Sequence, residues 1–434
     1  MNPCHLSPMS ISTTDRIERS ARDSGFGVPI ALAVGIFLLA CSSDDPPAQY
    51  VNDWNAFATE RIADGESPAS QVNALAIVQL AVHDALNAIE PRYERYAYDG
   101  RSAGASVPAA VAAATRDVLV QLLPAQRDAI QDRYETRLAD VAEGAAKTAG
   151  LATGRAAAAA VLAKRENQDI GAALAQPFAV GPNSPGNYQL TPPTNIVIGA
   201  GLGKIEPFAL SSVAQLRSPA PHPLDSSDYA ADYDEVRQLG SAASAQRSAA
   251  QTETGQFWYD VIAKEWHHVA RQSLSATKAG EWQAARLLAL LSVAMVDGVI
   301  ASFDTKFASN FWRPITAIRA GDTDGNDATV GDQDWEPLCV TPPFPEHNST
   351  HAVTGAAAAT VLSQAFGGDI EFSVTSPTLP GVERRYRRFS DAALEEGVSR
   401  IYCGIHFRRA LGTGLEQGRL VAEQVIDTLL KAEQ

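Results

Sequence analysis

Along most of the chain, apolar residues recur at intervals of three and four, the spacing that lines one face of a helix. Residues 69–89 and 108–123 follow it, and an alanine-rich stretch over 138–164 adds high intrinsic helix propensity. Helices are expected to resume near residue 229. Residues 280–304 are apolar on every side, as a helix buried all round has to be, and 353–366 and 412–431 predict two more. Between 177 and 228 the periodicity is lost and Pro and Gly accumulate, so a long ordered excursion across the helical body is expected there. No run of alternating residues predicts a strand. The expected architecture is all-α, with helical bundles packed around one core.

The first forty residues break this pattern. Arg16, Arg19 and Arg22 precede an apolar run over 28–40, too short to span a bilayer comfortably, which ends in Leu38-Leu39-Ala40-Cys41. That ending resembles a bacterial lipobox. It predicts a lipoprotein-type signal peptide over 1–40, lipidation at Cys41, a tether over 41–50 and one all-α domain over 51–434. The protein is then expected to be exported, as an outer-membrane or periplasmic lipoprotein that meets the membrane only through its lipid anchor. A plain secretory signal and an N-terminal membrane anchor are the alternatives. Cys4 would be removed and Cys41 consumed, leaving Cys339 and Cys403 in an oxidising compartment, either paired or as two buried thiols.

Charge narrows the choice of partners. Thirty-five Lys and Arg against fifty Asp and Glu give a net charge of -15, which excludes a general affinity for nucleic acid. Any anion site has to be a local concentration of cations. The acidic loop over 322–327 alternates oxygen ligands but fails the EF-hand pattern, with Asp327 at the glycine position and Gln333 at the glutamate position, so it reads as a solvated turn.

Residues 300–434 hold three segments with chemistry. In the first, Lys306 and Arg313 stand seven apart, which places both on one helix face two turns from each other before Pro314 disturbs the helix. In the second, Pro343-Phe344-Pro345-Glu346-His347-Asn348-Ser349-Thr350-His351 delivers Ser349 to a helix start, where free N–H groups and the positive end of the helix dipole favour an oxyanion. His351 in that first turn suits general acid-base work. In the third, Ser399 to His406, Arg400 and His406 are about 240° out of phase on one helix and share a target only if the chain breaks, which Gly404 permits. Each segment alone has an ordinary reading: a solvated cation pair, a capped helix with a surface histidine or with His347 and His351 as zinc ligands, and a helix-end arginine beside a buried histidine.

Taken in order, Lys-x6-Arg-Pro, Ser-x-His at a helix start and Ser-Arg-x5-His resemble the superfamily of vanadium-dependent haloperoxidases and type 2 phosphatidic acid phosphatases. His83-Asp84-Ala85-Leu86-Asn87-Ala88-Ile89-Glu90 and the run from Asn310 to Arg319 are similar to the bacterial soluble haloperoxidase branch. The resemblance covers Val51 to the C-terminus and implies an all-α fold with one pocket for vanadate or phosphate. It assigns Lys306, Arg313 and Arg400 to the equatorial oxygens, Ser349 and the Thr350 N–H to hydrogen bonds with them, His351 to acid-base work and His406 to the axial position, as vanadium ligand. The implied cofactor is vanadate, and the implied partners are hydrogen peroxide, a halide and a small organic substrate, with a homo-oligomer open. Two further readings are an acid phosphatase in which His406 becomes a phosphohistidine, and a non-catalytic anion-binding surface lipoprotein. If the motif segments converge, a Cys339–Cys403 disulfide would brace the pocket rim.

Two positions depart from the family pattern. Thr350 stands where the family carries Gly, so a required positive φ would strain it or shift its N–H. Ala410 stands where the superfamily motif carries an Asp that orients the axial histidine, which weakens the phosphatase reading most. Phe344, seven before His351, occupies the position where chloroperoxidases carry Phe and bromoperoxidases tend to carry His.

Overall fold

The computed structural model describes residues 47–260 and 263–433. The expected signal peptide over 1–40 and the expected lipidation at Cys41 lie outside these residues. Ala48 already donates its N–H to the Ala279 carbonyl at 2.8 Å, and the first helix begins at Tyr50.

The described residues form an all-α body whose axis is a 29-residue helix, Glu281–Ser309, about 43 Å long at 1.5 Å per residue. It is buried on every side, which explains its unbroken apolar sequence. Pro68–Ile89 packs along it, begun by a Ser67 cap and Pro68 in the first turn. Both helices are long and apolar enough to cross a membrane, yet 94% of each apolar window is buried inside the protein. Val107–Leu122 and Ala145–Lys164 complete the N-terminal side. On the C-terminal side, Thr350–Phe366 and Arg408–Thr428 pack on the central helix, with Phe389–Tyr402 against them. A Cβ at Gly418 would collide with the Val353 carbonyl, so this glycine sets how closely the C-terminal helix approaches the helix that starts at Thr350.

Several expectations are corrected. The alanine-rich helix begins at Ala145 rather than 138, and a separate helix, Arg127–Ala139, precedes it. A two-stranded antiparallel hairpin, Phe372–Thr375 with Glu383–Tyr386, lies among the helices; four residues per strand are too few to register as alternation. The buried apolar residues form two clusters rather than one. The smaller cluster gathers Tyr229, Tyr233, Phe311, Trp312, Ile401 and Phe407, residues that include chain neighbours of Arg313, Arg400 and His406.

The stretch between Ala175 and Ser227 is the ordered excursion expected, with two short 3-10 turns and anchors along its length. Tyr188 N donates to the Asn310 carbonyl and Ile198 N to the Pro343 carbonyl. The N–H groups of Phe208, Ala209 and Leu210 all donate to the carboxylate of Asp297 on the central helix. The acidic loop is a turn in which the Asp324 carboxylate accepts from Asn326 N and the Thr329 hydroxyl.

Candidate oxyanion site

The three segments converge, although not as one helix face predicted. The central helix stops at Ser309 because Asn310 adopts a left-handed conformation, φ 49°, which Asn tolerates better than most residues. Arg313 is therefore the N-cap of a second short helix, Pro314–Arg319, with Pro314 in its first turn. The sharp turn brings its guanidinium back beside Lys306.

All three cations are buried: Lys306 and Arg313 are fully so and Arg400 is 2% exposed. The Lys306 ammonium donates to the carbonyls of Pro345, Glu346 and Asn348. Arg313 donates through Nε to the Phe344 carbonyl at 2.8 Å and through Nη1 to the Ile405 carbonyl at 2.9 Å, while its Nη2 has no hydrogen-bond partner. Arg400 reaches the Tyr259 carbonyl through Nη1 at 3.2 Å, and its Nε is likewise unpartnered. Among the described residues none of the three has a carboxylate within ion-pairing distance. Burial holds Arg313 down at about 10 against the pull of Glu346, and Arg400 at about 10 against Tyr259 and Glu396, while burial followed by the Arg313 charge holds Lys306 well below the ordinary lysine value. Phe344 lies under both neighbouring cations, 5.0 Å from Arg313 and 5.2 Å from Lys306 at the ring centroid.

Ser349 caps the helix that starts at Thr350. Its Oγ accepts from Ala352 N at 3.4 Å and keeps its own proton free to donate. By position, the N–H groups of Thr350 and His351 have no intrahelical acceptor. The expected strain at Thr350 is absent: it is the first helical residue, outside the positive-φ region, and its hydroxyl lies 2.8 Å from Ser302 Oγ. His351 Nε2 faces the Tyr259 carbonyl at 3.2 Å, so the proton sits on Nε2 and Nδ1 holds the lone pair. Burial, followed by the Arg400 charge, pushes its pKa well down. His347 turns the other way, to the Pro219 carbonyl at 2.8 Å, so it does not join His351 in a zinc pair.

Gly404, φ 77°, supplies the break between Arg400 and His406. The His406 ring is held at both nitrogens. Nδ1 lies 3.0 Å from Glu346 Oε1 and Nε2 lies 3.1 Å from Arg313 Nη1. A carboxylate accepts and a guanidinium donates, so the proton is on Nδ1 and the lone pair on Nε2. Glu346 thus corrects the expectation drawn from Ala410: the carboxylate that orients His406 comes from the Pro-rich loop instead of the following helix. The same oxygen accepts from Phe407 N at 2.9 Å. Burial pushes the Glu346 carboxyl up to about 7, against the pull of Arg313, the Phe407 amide and Lys306. The Ala410 carbonyl accepts from Ser349 N instead. Cys339 and Cys403 are joined by a disulfide that ties the loop leading to Phe344 and Glu346 to the turn before His406.

Glu346 is the site residue that sequence reasoning missed. It was in view within the second segment, but nothing in its spacing pointed to a histidine 60 positions away. Taken together, the site is a buried cluster of cations, with two unpartnered guanidinium nitrogens, helix-start amides and an imidazole lone pair facing Arg313. It suits a small tetrahedral or five-coordinate oxyanion.

Known proteins share this arrangement of helices. A family model described as the VCPO second helical-bundle domain matches residues 286–433. Vanadium chloroperoxidase from Curvularia inaequalis is 26% identical, over 46% of this chain and 44% of its own length, so the chain spans less than half of that relative. The structure of a bacterial vanadium-dependent iodoperoxidase superposes with a TM-score of 0.76 at 25% identity, covering 90% of this chain and 100% of the other. A bacterial vanadium-dependent chloroperoxidase shares the fold, with a TM-score of 0.67 at 15% identity over 88% of this chain and 98% of the other.

Proposed function

Because the chain belongs to the vanadium haloperoxidase family, we propose that it binds vanadate at this site and acts as a haloperoxidase on hydrogen peroxide, a halide and a small organic acceptor. The observation that carries the reading is a set of three buried cations, none ion-paired among the described residues, with Arg313 Nη2 and Arg400 Nε unpartnered. Vanadate satisfies what the protein leaves open.

In this reading Lys306, Arg313 and Arg400 neutralise the oxygens, and Ser349 Oγ and the Thr350 N–H donate to them. His406 Nε2, kept in the right tautomer by Glu346, would hold the vanadium. When bound, vanadate supplies Lewis-acid activation of peroxide for oxidation of the halide to a hypohalous species. His351 is neutral while the pocket holds only cations, and negative charge beside it raises its proton affinity, so Nδ1 takes up or returns a proton near the bound oxygens. Desolvation strengthens each of these interactions.

A second reading is favoured by one observation. The Glu346–His406 pair orients a lone pair as a phosphatase nucleophile requires, which Ala410 had argued against. One assay separates the two. The purified protein is stripped of metal and tested for bromide oxidation with hydrogen peroxide, before and after orthovanadate is added. Activity that appears only with vanadate is expected. Vanadate that instead blocks hydrolysis of a phosphate ester would move the assignment to a phosphohistidine enzyme, and binding without turnover in either assay would make this an anion-binding protein.

A further inference from the structure

Behind the Ser349 turn, three buried polar side chains and the half-buried Thr350 form a chain of hydrogen bonds whose directions are all fixed. Gln417 Nε2 faces three acceptors: the Leu216 carbonyl at 2.7 Å, the Ala301 carbonyl at 3.3 Å and Thr305 Oγ1 at 2.9 Å, whose own proton goes to Ala301. Its Oε1 is therefore the end that meets Asn348 Nδ2, at 2.8 Å. Asn348 also donates through Nδ2 to Ser218 Oγ at 2.6 Å, whose proton goes to the Thr413 carbonyl, so Asn348 Oδ1 has to be the acceptor facing Ser302. Ser302 Oγ donates its single proton to that oxygen at 3.0 Å. In the 2.8 Å contact between Ser302 Oγ and Thr350 Oγ1, the proton then belongs to Thr350.

We propose that Thr350 is a positioning residue, whose hydroxyl straps the anion-binding turn to Ser302 of the central helix. Ser302 meets the side chains on both sides of Ser349, those of Asn348 and Thr350. It lies one helical turn before Lys306, whose ammonium donates to the Asn348 carbonyl. The turn is thereby fixed at two points on one helix face, and the distance between the lysine and the Thr350 amide is set by the backbone of the central helix. With its proton committed to Ser302, the Thr350 hydroxyl has none to give an anion, which leaves the amide as this residue's donor. A glycine here supplies the amide but no strap.

This inference rests on the oxyanion reading of the site, and the test separates the two. Orthovanadate affinity of the full, metal-free chain is measured by calorimetry for the wild type, Thr350→Val, Thr350→Ser and Thr350→Gly. Amide exchange over residues 350–353 is followed in the same proteins without anion. Valine keeps the shape and removes the donor; serine keeps the donor. Valine is expected to weaken orthovanadate binding about tenfold and to speed exchange by a similar factor, with serine within about twofold of wild type in both. Valine and serine that behave alike, or a glycine variant that binds at least as tightly as wild type, would overturn the strap. If the wild type itself fails to bind orthovanadate, the oxyanion reading falls, and the exchange comparison alone decides whether Thr350 holds the turn.

Discussion

Two sets of charged residues are buried to the same degree in this molecule and treated in opposite ways. Asp84, on Pro68–Ile89, accepts from the N–H groups of Tyr96, Ala97 and Tyr98, and Asp297, on the central helix, accepts from those of Phe208, Ala209 and Leu210. Each carboxylate pins an irregular loop to one of the two long helices, and the rings of Tyr96 and Phe208 meet at 6.3 Å. Lys306, Arg313 and Arg400 donate only to carbonyls and an imidazole, none is ion-paired among the described residues, and two guanidinium nitrogens stay open. The lesson is one of bookkeeping. Charge that the protein settles internally holds the fold, and charge that it leaves unsettled is what the proposed anion would meet.

Substitutions on either side of that divide should behave differently. The largest effect is expected at Asp297→Ala, which strands three N–H groups and should cost about 4 kcal/mol of stability, counted at roughly 1–3 kcal/mol per orphaned donor with partial relief. Chemical denaturation measures it, and a loss below about 1 kcal/mol would break the comparison. Arg400→Ala comes next. It should weaken orthovanadate binding about a hundredfold while leaving the melting temperature of the anion-free protein unchanged or raised, because an unpaired buried cation is removed. A fall in melting temperature like that of Asp297→Ala would mean that Arg400 serves the fold.

The smallest effect sharpens the settled side. His267 is fully buried, its Nδ1 accepting from Asn55 at 2.9 Å and its Nε2 facing Ser292 Oγ at 3.2 Å. The Arg271 guanidinium donates to the Asn55 oxygen, which fixes the amide and hence the tautomer. Burial, aided by Arg271, lowers its pKa to about 3, below the unfolded value of about 6.5. Between those values the unfolded chain takes up a proton that the folded chain refuses. The contribution is fully present above pH 6.5 and is lost as pH falls, by about 2 kcal/mol between pH 7 and pH 5. His267→Gln should flatten that part of the stability profile, and an unchanged slope would show that the burial does not hold.

Much of this was legible in the residues. Periodicity located the central helix and its C-terminal neighbours because each buries a broad apolar face, and Gly404 marked the break before His406. Arg127–Ala139 escaped because only Ile130 and Tyr134 are buried in it, leaving no stripe to detect. The split between Lys306 and Arg313 escaped because it depends on one left-handed Asn310, a conformation that Asn permits without demanding. At the site, motif order identified the cations and histidines. Glu346 and the Ser302–Thr350 contact were out of reach, since both are pairings across the fold with no local signature.

The hydrogen bonds that define the pocket also carry a kinetic meaning. Glu346 and His406 are 60 residues apart, Asn348 and Gln417 69, and Arg313 and His406 93. Each is a loop closure whose entropy has to be met before its contact contributes anything, so these pairings are expected to form late, after the helices that carry them have docked. No nascent segment holds a fragment of the pocket in working order. The proposed affinity for the anion would arrive at the end of folding, as a property of the finished topology.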